Sequence, residues 1–224
     1  MGELVQFRAN GSTRNGYLAT PPTGGGPGLI VIQEWWGLVD HIKSVADRFA
    51  AAGFVSLAPD LYDGTIAKSP DEAGKMLMAL NIAETAKALR GAADHLLALD
   101  LVRPKKVGAI GFCMGGQLAL FGAAEHPDRV SAAVDFYGIH PNVTIHPEKI
   151  TGAIQAHFAR KDAYVTEAAG RALVDRIKEA GKTIEAYYYD ADHAFFNDTR
   201  PAYSKADADL AWHRTLEFLR KNLQ

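Results

Sequence analysis

The chain has 224 residues, 48% hydrophobic and 22% charged, enough to bury one sizeable core and too few for two, so a single domain spanning 1–224 is expected. Twenty-four basic residues against 26 acidic ones, with no run of like charge, leave no footprint for a phosphate backbone and argue against nucleic acid as a partner. The longest apolar run, 28–32, falls far short of the ~20 residues of a membrane span, and 1–10 lacks an apolar signal-peptide core, so the expectation is a soluble, cytoplasmic protein without a membrane partner.

Residues 3–9 and 15–20 read as two short strands around Asn10-Gly11, a pair that readily takes the positive φ angles of a tight hairpin turn. The Pro- and Gly-rich stretch 21–27 then breaks the chain. A strand follows it rather than a helix N-terminus, which makes it a turn and not a phosphate cradle. Residues 28–32 form a continuous apolar run suited to a strand covered on both faces, and runs of similar character recur at 54–58, 106–111, 130–137, 153–158 and 183–189. Helix-period segments lie between them at 39–52, 71–98, 115–124, 165–180 and 205–223, two of them stopping at Gly53 and Gly181 as helix C-termini prefer. The alternation predicts an α/β fold, a mainly parallel sheet opened by an antiparallel β-hairpin and covered by helices on both faces. In such sheets ligands sit beyond the carboxyl ends of the strands, so the residues just after each apolar run are where chemistry is expected.

Cys113 is the only cysteine, which removes disulfides and multi-cysteine metal sites; by composition alone a lone thiol reads as a small core hydrophobe. Its neighbours change that reading. Gly111-Phe112-Cys113-Met114-Gly115-Gly116 lies between an apolar strand and a helical segment, and Gly-x-nucleophile-x-Gly in that setting is the elbow that lifts a nucleophile off the top of a sheet. Glycine is needed because side chains two positions either side would collide with the strand and helix being joined. The start of the following helix favours a thiolate.

An elbow requires an acid and then a histidine further along the chain. Asp162 follows the strand at 153–158 and His193 follows the one at 183–189, in that order. Asp190 and Asp192 are rival acids, but so close to His193 along the loop they are less well placed to fix its ring from the far side. The other histidines fall in helical segments (His41, His126), in a strand (His157) or in a Pro-bearing loop without metal-ligand spacing (His140, His146). No metal or cofactor is expected.

With Arg160-Lys161-Asp162-Ala163-Tyr164-Val165, Asp192-His193-Ala194-Phe195-Phe196-Asn197-Asp198-Thr199-Arg200-Pro201 and Gln33-Glu34-Trp35-Trp36-Gly37 added to the elbow, the chain resembles the dienelactone hydrolase (carboxymethylenebutenolidase) family of α/β hydrolases nearly end to end. The resemblance implies a Cys113, His193, Asp162 triad acting on a small-molecule lactone or ester. It also gives Glu34 the role of pairing with the resting cysteine and taking part in its activation. By the elbow's general geometry the oxyanion falls to the backbone N–H groups of Met114 and Trp35. Members that open dienelactone bind its carboxylate with arginines, one of them shortly after the histidine; here Asn197 stands there and Arg200 is the nearest arginine, while 71–81 offers only Lys75. Among the aromatic residues at strand ends, Trp36, Tyr137 and Phe195 are the expected substrate contacts, with Phe112, Phe196 and Trp35 near them. Asn197 and Arg200 complete the expected substrate site. A general carboxylesterase or thioesterase of the same fold is the nearest alternative, and a non-catalytic redox-sensing or binding module the more distant one. The oligomeric state is not legible in the sequence.

Overall fold

The computed structural model describes residues 2–224. The chain runs β1 (Glu3–Ala9), β2 (Ser12–Ala19), β3 (Gly26–Ile32), α1 (Asp40–Ala51), β4 (Val55–Pro59), α2 (Pro70–Ala79), α3 (Ile82–Ala98), β5 (Val102–Phe112), α4 (Met114–Glu125), β6 (Val130–Phe136), β7 (Ala153–Ala159), α5 (Glu167–Glu179), β8 (Ile184–Tyr189) and α6 (Lys205–Leu223), with one 3-10 turn at Pro147–Lys149. Its strands form one sheet in the order β1-β2-β4-β3-β5-β6-β7-β8. The β1–β2 and β2–β4 pairs are antiparallel, and every later pair is parallel. The hairpin turns at Asn10 and Gly11, both at positive φ (46° and 87°) as that pair allows.

β3 shows why a continuous apolar run was required. Its odd and even side chains feed two separate cores: Ile30 and Ile32 meet α3 and α4 on one face, while Leu29 and Val31 meet α1 and α6 on the other. Each parallel strand ends at the same rim, which collects Glu34 after β3, Cys113 after β5, Tyr137 after β6, Asp162 after β7 and His193 after β8.

One expected element differs. The helical pattern over 71–98 is two helices, because Leu80 leaves the helical region (φ −60°, ψ 122°) and the Asn81 side chain accepts a hydrogen bond from the Glu84 N–H (3.1 Å) to start a new one. Asn81-x-x-Glu84 is a capping pattern that the apolar periodicity conceals. The break matters for the site, since it carries Leu77 of α2 over the rim. β5 also begins at Val102, earlier than its apolar part suggests, and β6 stops at Phe136, leaving Tyr137 outside the strand.

Candidate active site

Cys113 caps α4 with φ 54° and ψ −123°, a strained conformation for a residue with a side chain, held by its N–H to the Phe136 carbonyl (3.0 Å) and its carbonyl to the Gly116 N–H (2.9 Å). The flanking glycines are required sterically. A Cβ on Gly111 would run into the Gly115 carbonyl, and one on Gly115 would lie 2.5 Å from the Gln33 oxygen and 2.6 Å from that of Ile32. The turn therefore packs directly on the end of β3, where Glu34 begins. The N–H groups of Met114 and Trp35 donate to no acceptor among the described residues, which leaves both free for an oxyanion.

Asp162 uses both carboxylate oxygens. Oδ1 accepts from the Tyr164 and Val165 N–H groups (2.8 Å each), and Oδ2 accepts from His193 Nδ1 (2.7 Å) with the Asp162 side chain fully buried. The loops after β7 and β8 are tied by backbone bonds from Arg160 to Tyr189 (2.8 Å) and from Lys161 to Ala191 (3.0 Å), which fixes the two residues against each other. Asp190 instead pairs with Lys161 at the surface (3.0 Å) and Asp192 is exposed, so neither rival meets the histidine. Burial by itself would depress the His193 pKa; the Asp162 hydrogen bond and an ionised Cys113 sulfur outweigh it and push the imidazole up to about 10, so the imidazolium is favoured once the sulfur carries charge.

Glu34 is 2% exposed. Its Oε2 accepts from Asn197 Nδ2 (2.8 Å), and its Oε1 has no partner among the described residues. Burial raises its pKa, against the opposing Asn197 hydrogen bond and the charges of His193 and Arg200. Asn197 is in turn locked by its Oδ1, which accepts from the Thr199 N–H (3.0 Å) and hydroxyl (2.7 Å). Asn197 was expected to touch substrate; it lies behind Glu34 instead, because its amide is consumed by hydrogen bonds with Glu34 and Thr199 and it does not line the cavity.

These groups open onto a cavity of about 440 Å³ that contains Cys113, His193 and Glu34. Trp35, Trp36, Tyr137, Tyr164 and Leu77 give it apolar walls. Arg200 lies on its edge with the guanidinium 4.1 Å from the centre of the Trp36 ring and forms no ion pair among the described residues. Phe195 is the second correction. The chain turns at Ala194 (φ 63°), which directs Phe195 away from the cavity into packing against Tyr189 (4.9 Å between ring centres) and Tyr137 (5.4 Å). Phe196 likewise stacks on Phe112 in the core (5.3 Å). Tyr164 went unread in the sequence although it stands two residues after Asp162; its ring is 5.2 Å from that of His193 and 6.4 Å from that of Trp35.

The parallel sheet with its antiparallel start, its two helical layers and a strained strand-to-helix turn at Cys113 at the strand ends defines an α/β-hydrolase fold. Residues 15–223 match the family model described as the dienelactone hydrolase family, and the chain belongs to that family of carboxymethylenebutenolidase-like hydrolases. Protein usf of Aquifex pyrophilus is 38% identical, with all of both chains covered. Carboxymethylenebutenolidase 1 of Cupriavidus pinatubonensis is 27% identical over 98% of this chain and 97% of its own. Among solved structures, the dienelactone hydrolase of Anabaena variabilis (TM-score 0.71, 20% identity) covers all of this chain and 99% of its own, as does the dienelactone hydrolase-like promiscuous phosphotriesterase P91 (TM-score 0.87, 23% identity); both share the fold.

Proposed function

We propose that the protein hydrolyses small lactones or activated esters with Cys113 as nucleophile, His193 as acid–base and Asp162 as the group that orients the imidazole. The observation that carries this is the buried Asp162–His193 hydrogen bond (2.7 Å), aimed at the only cysteine, at the rim of a cavity. In the resting site the buried Glu34 carboxyl beside the sulfur disfavours a second negative charge there and keeps the thiol neutral. Substrate displaces that influence, the thiol proton passes to His193, and the thiolate attacks the carbonyl carbon. The carbonyl electron pair moves onto oxygen, which the Met114 and Trp35 N–H groups receive; losing one such donor typically costs ~10²- to 10³-fold in turnover. Collapse expels the leaving oxygen, which takes the proton from His193, and a thioester remains. Water then gives a proton to His193, adds to the thioester carbon, and the acid leaves as the thiolate is regenerated.

The apolar walls and the unpaired Arg200 favour a flat, unsaturated substrate carrying one carboxylate, with Trp36 packing against the guanidinium at the cavity edge. A general carboxylesterase is the second reading, favoured by the commitment of Asn197 to Glu34, which leaves Arg200 as the one arginine at the cavity. Cys113→Ala is expected to abolish turnover of a small aryl ester with the circular dichroism spectrum unchanged; retained turnover removes the cysteine mechanism. On the unsubstituted enzyme, a higher kcat/KM for anionic lactones than for neutral esters supports the lactonase reading, and the reverse order supports the esterase.

A further inference from the structure

Tyr137 stands out at the rim for a donor with nothing to donate to. It follows β6 at φ 43°, an unfavourable angle for a bulky residue, fixed by its N–H to the His157 carbonyl (2.8 Å) and by the rings of Phe112, Phe136 and Phe195. The residue is fully buried, yet its hydroxyl proton has no acceptor among the described residues. An orphaned buried hydroxyl is destabilising, and leucine or phenylalanine would fill such a site without that penalty. Tyr137 nonetheless borders the same cavity as Cys113, its ring in an edge-type contact with that of His193 (5.1 Å between centres).

The groups around it narrow what the hydroxyl serves. Its pKa is driven well up by burial, then by the charges of Glu34, Cys113 and Asp162, so it stays protonated and remains a donor. The Phe196 backbone is the one neighbour acting the other way, and an N–H can only donate, which leaves the phenol's own proton without an acceptor. Asp162 has its oxygens filled by His193 and two backbone N–H groups. Glu34 is held by Asn197 at Oε2, and its unpaired Oε1 forms no hydrogen bond with the Tyr137 hydroxyl, which is itself without an acceptor. On the other side of Cys113, the Tyr62 hydroxyl after β4 is committed to the Met114 sulfur (3.2 Å). Cys113 is the acceptor whose charge appears only during the reaction.

We propose that the Tyr137 hydroxyl is a positioning donor for the Cys113 sulfur, hydrogen-bonding the thiolate once its proton has passed to His193 and holding it beside the imidazolium. The proposal rests on Cys113 being the nucleophile. It explains both anomalies together, since a donor held at the same cavity as a charge that has yet to form is unsatisfied at rest and useful in the cycle. No co-reactant is needed: the S–H bond breaks, the proton moves to His193, and the new sulfur lone pair accepts the phenol hydrogen.

Alkylation of the full chain by iodoacetamide across pH reports this sulfur alone, because Cys113 is the only cysteine. In Tyr137→Phe the midpoint of the alkylation profile is expected to move up by about one to two pH units, the equivalent of losing a hydrogen bond to a charged group. The thermal midpoint should hold or rise, since the orphan hydroxyl is gone. An unmoved alkylation profile overturns the proposal and leaves Tyr137 as packing. Incorporation of 3-fluorotyrosine at 137, a stronger donor of nearly the same shape, gives a second reading: the midpoint should fall, and a midpoint unchanged there also overturns the role. Cys113→Ala separates the two layers. Retained ester hydrolysis in that variant removes the cysteine mechanism itself, whereas lost hydrolysis with an unmoved Tyr137→Phe profile removes only the tyrosine's part.

Discussion

Glu34 and Asn197 lie 163 residues apart in sequence and share one buried hydrogen bond, which is why the amide could be read as a substrate contact from the chain and yet bonds the Glu34 carboxyl. Desolvation raises the Glu34 pKa, and the hydrogen bond from the neutral Asn197, with the charges of His193 and Arg200, offsets it only in part. Asn197→Ala should therefore do two things. Leaving a buried carboxyl oxygen unpaired is expected to lower stability by about 1–3 kcal/mol in thermal or urea unfolding. It should also push the Glu34 pKa further up, moving the acidic limb of the kcat/KM profile to higher pH; an unchanged limb with an unchanged unfolding midpoint would mean that Asn197 does not hold Glu34. That Cys113, Asp162 and His193 gather at one rim was legible because each follows an apolar strand. The role of Asn197, the inward turn of Phe195 and the missing partner of Tyr137 were not, since each depends on where a side chain from another loop arrives.

The elbow shows how an element imposes chemistry on its residues. Gly115 belongs to α4 but its Cα faces the carbonyls of Ile32 and Gln33, so the helix that presents Cys113 is seated against the strand that presents Glu34. Gly115→Ala must displace one against the other, because both obstructing atoms are backbone. A stability loss of about 1–3 kcal/mol is expected, as for other overpacked sites, together with a fall in kcat larger than any change in KM. An alanine variant with full turnover would mean that the spacing of strand and helix tolerates more than the geometry indicates. The elements themselves were largely readable: β3 is apolar at consecutive positions because each face has its own helical layer, and Asn10-Gly11 announced the hairpin. The break between α2 and α3 was hidden because apolar spacing runs across it, while the Asn81 cap that produces it is a local polar contact.

Across the whole molecule, the polar groups inside the core make stability depend on pH. His157 on β7 is fully buried, bonded to Tyr189 (2.8 Å), Gln155 (2.9 Å) and Thr215 (3.1 Å), and burial drives its pKa from 6.5 down to about 3. The unfolded chain takes up a proton at this residue below pH 6.5, whereas the folded chain resists it, so its contribution is complete above that pH and is lost as pH falls toward 3. Unfolding free energy measured between pH 6.5 and 4 is expected to decline in the wild type and to decline less steeply in His157→Phe; parallel slopes would show that another group governs acid sensitivity. No described helix is long and apolar enough to cross a membrane. The sheet order places β5 between β3 and β6 and thereby sets Glu34 and Tyr137 on opposite flanks of Cys113, with Asp162 and His193 two and three strands away on the β6 side. That arrangement gives the fold a purpose only if the sulfur carries the acyl group. Acid-quenched intact and peptide mass spectrometry of the enzyme during turnover of a slowly deacylating aryl ester measures this directly. An acyl increment on the peptide containing Cys113, released by hydroxylamine, is the expected result; turnover with no adduct there, or with the adduct on another residue, would contradict it.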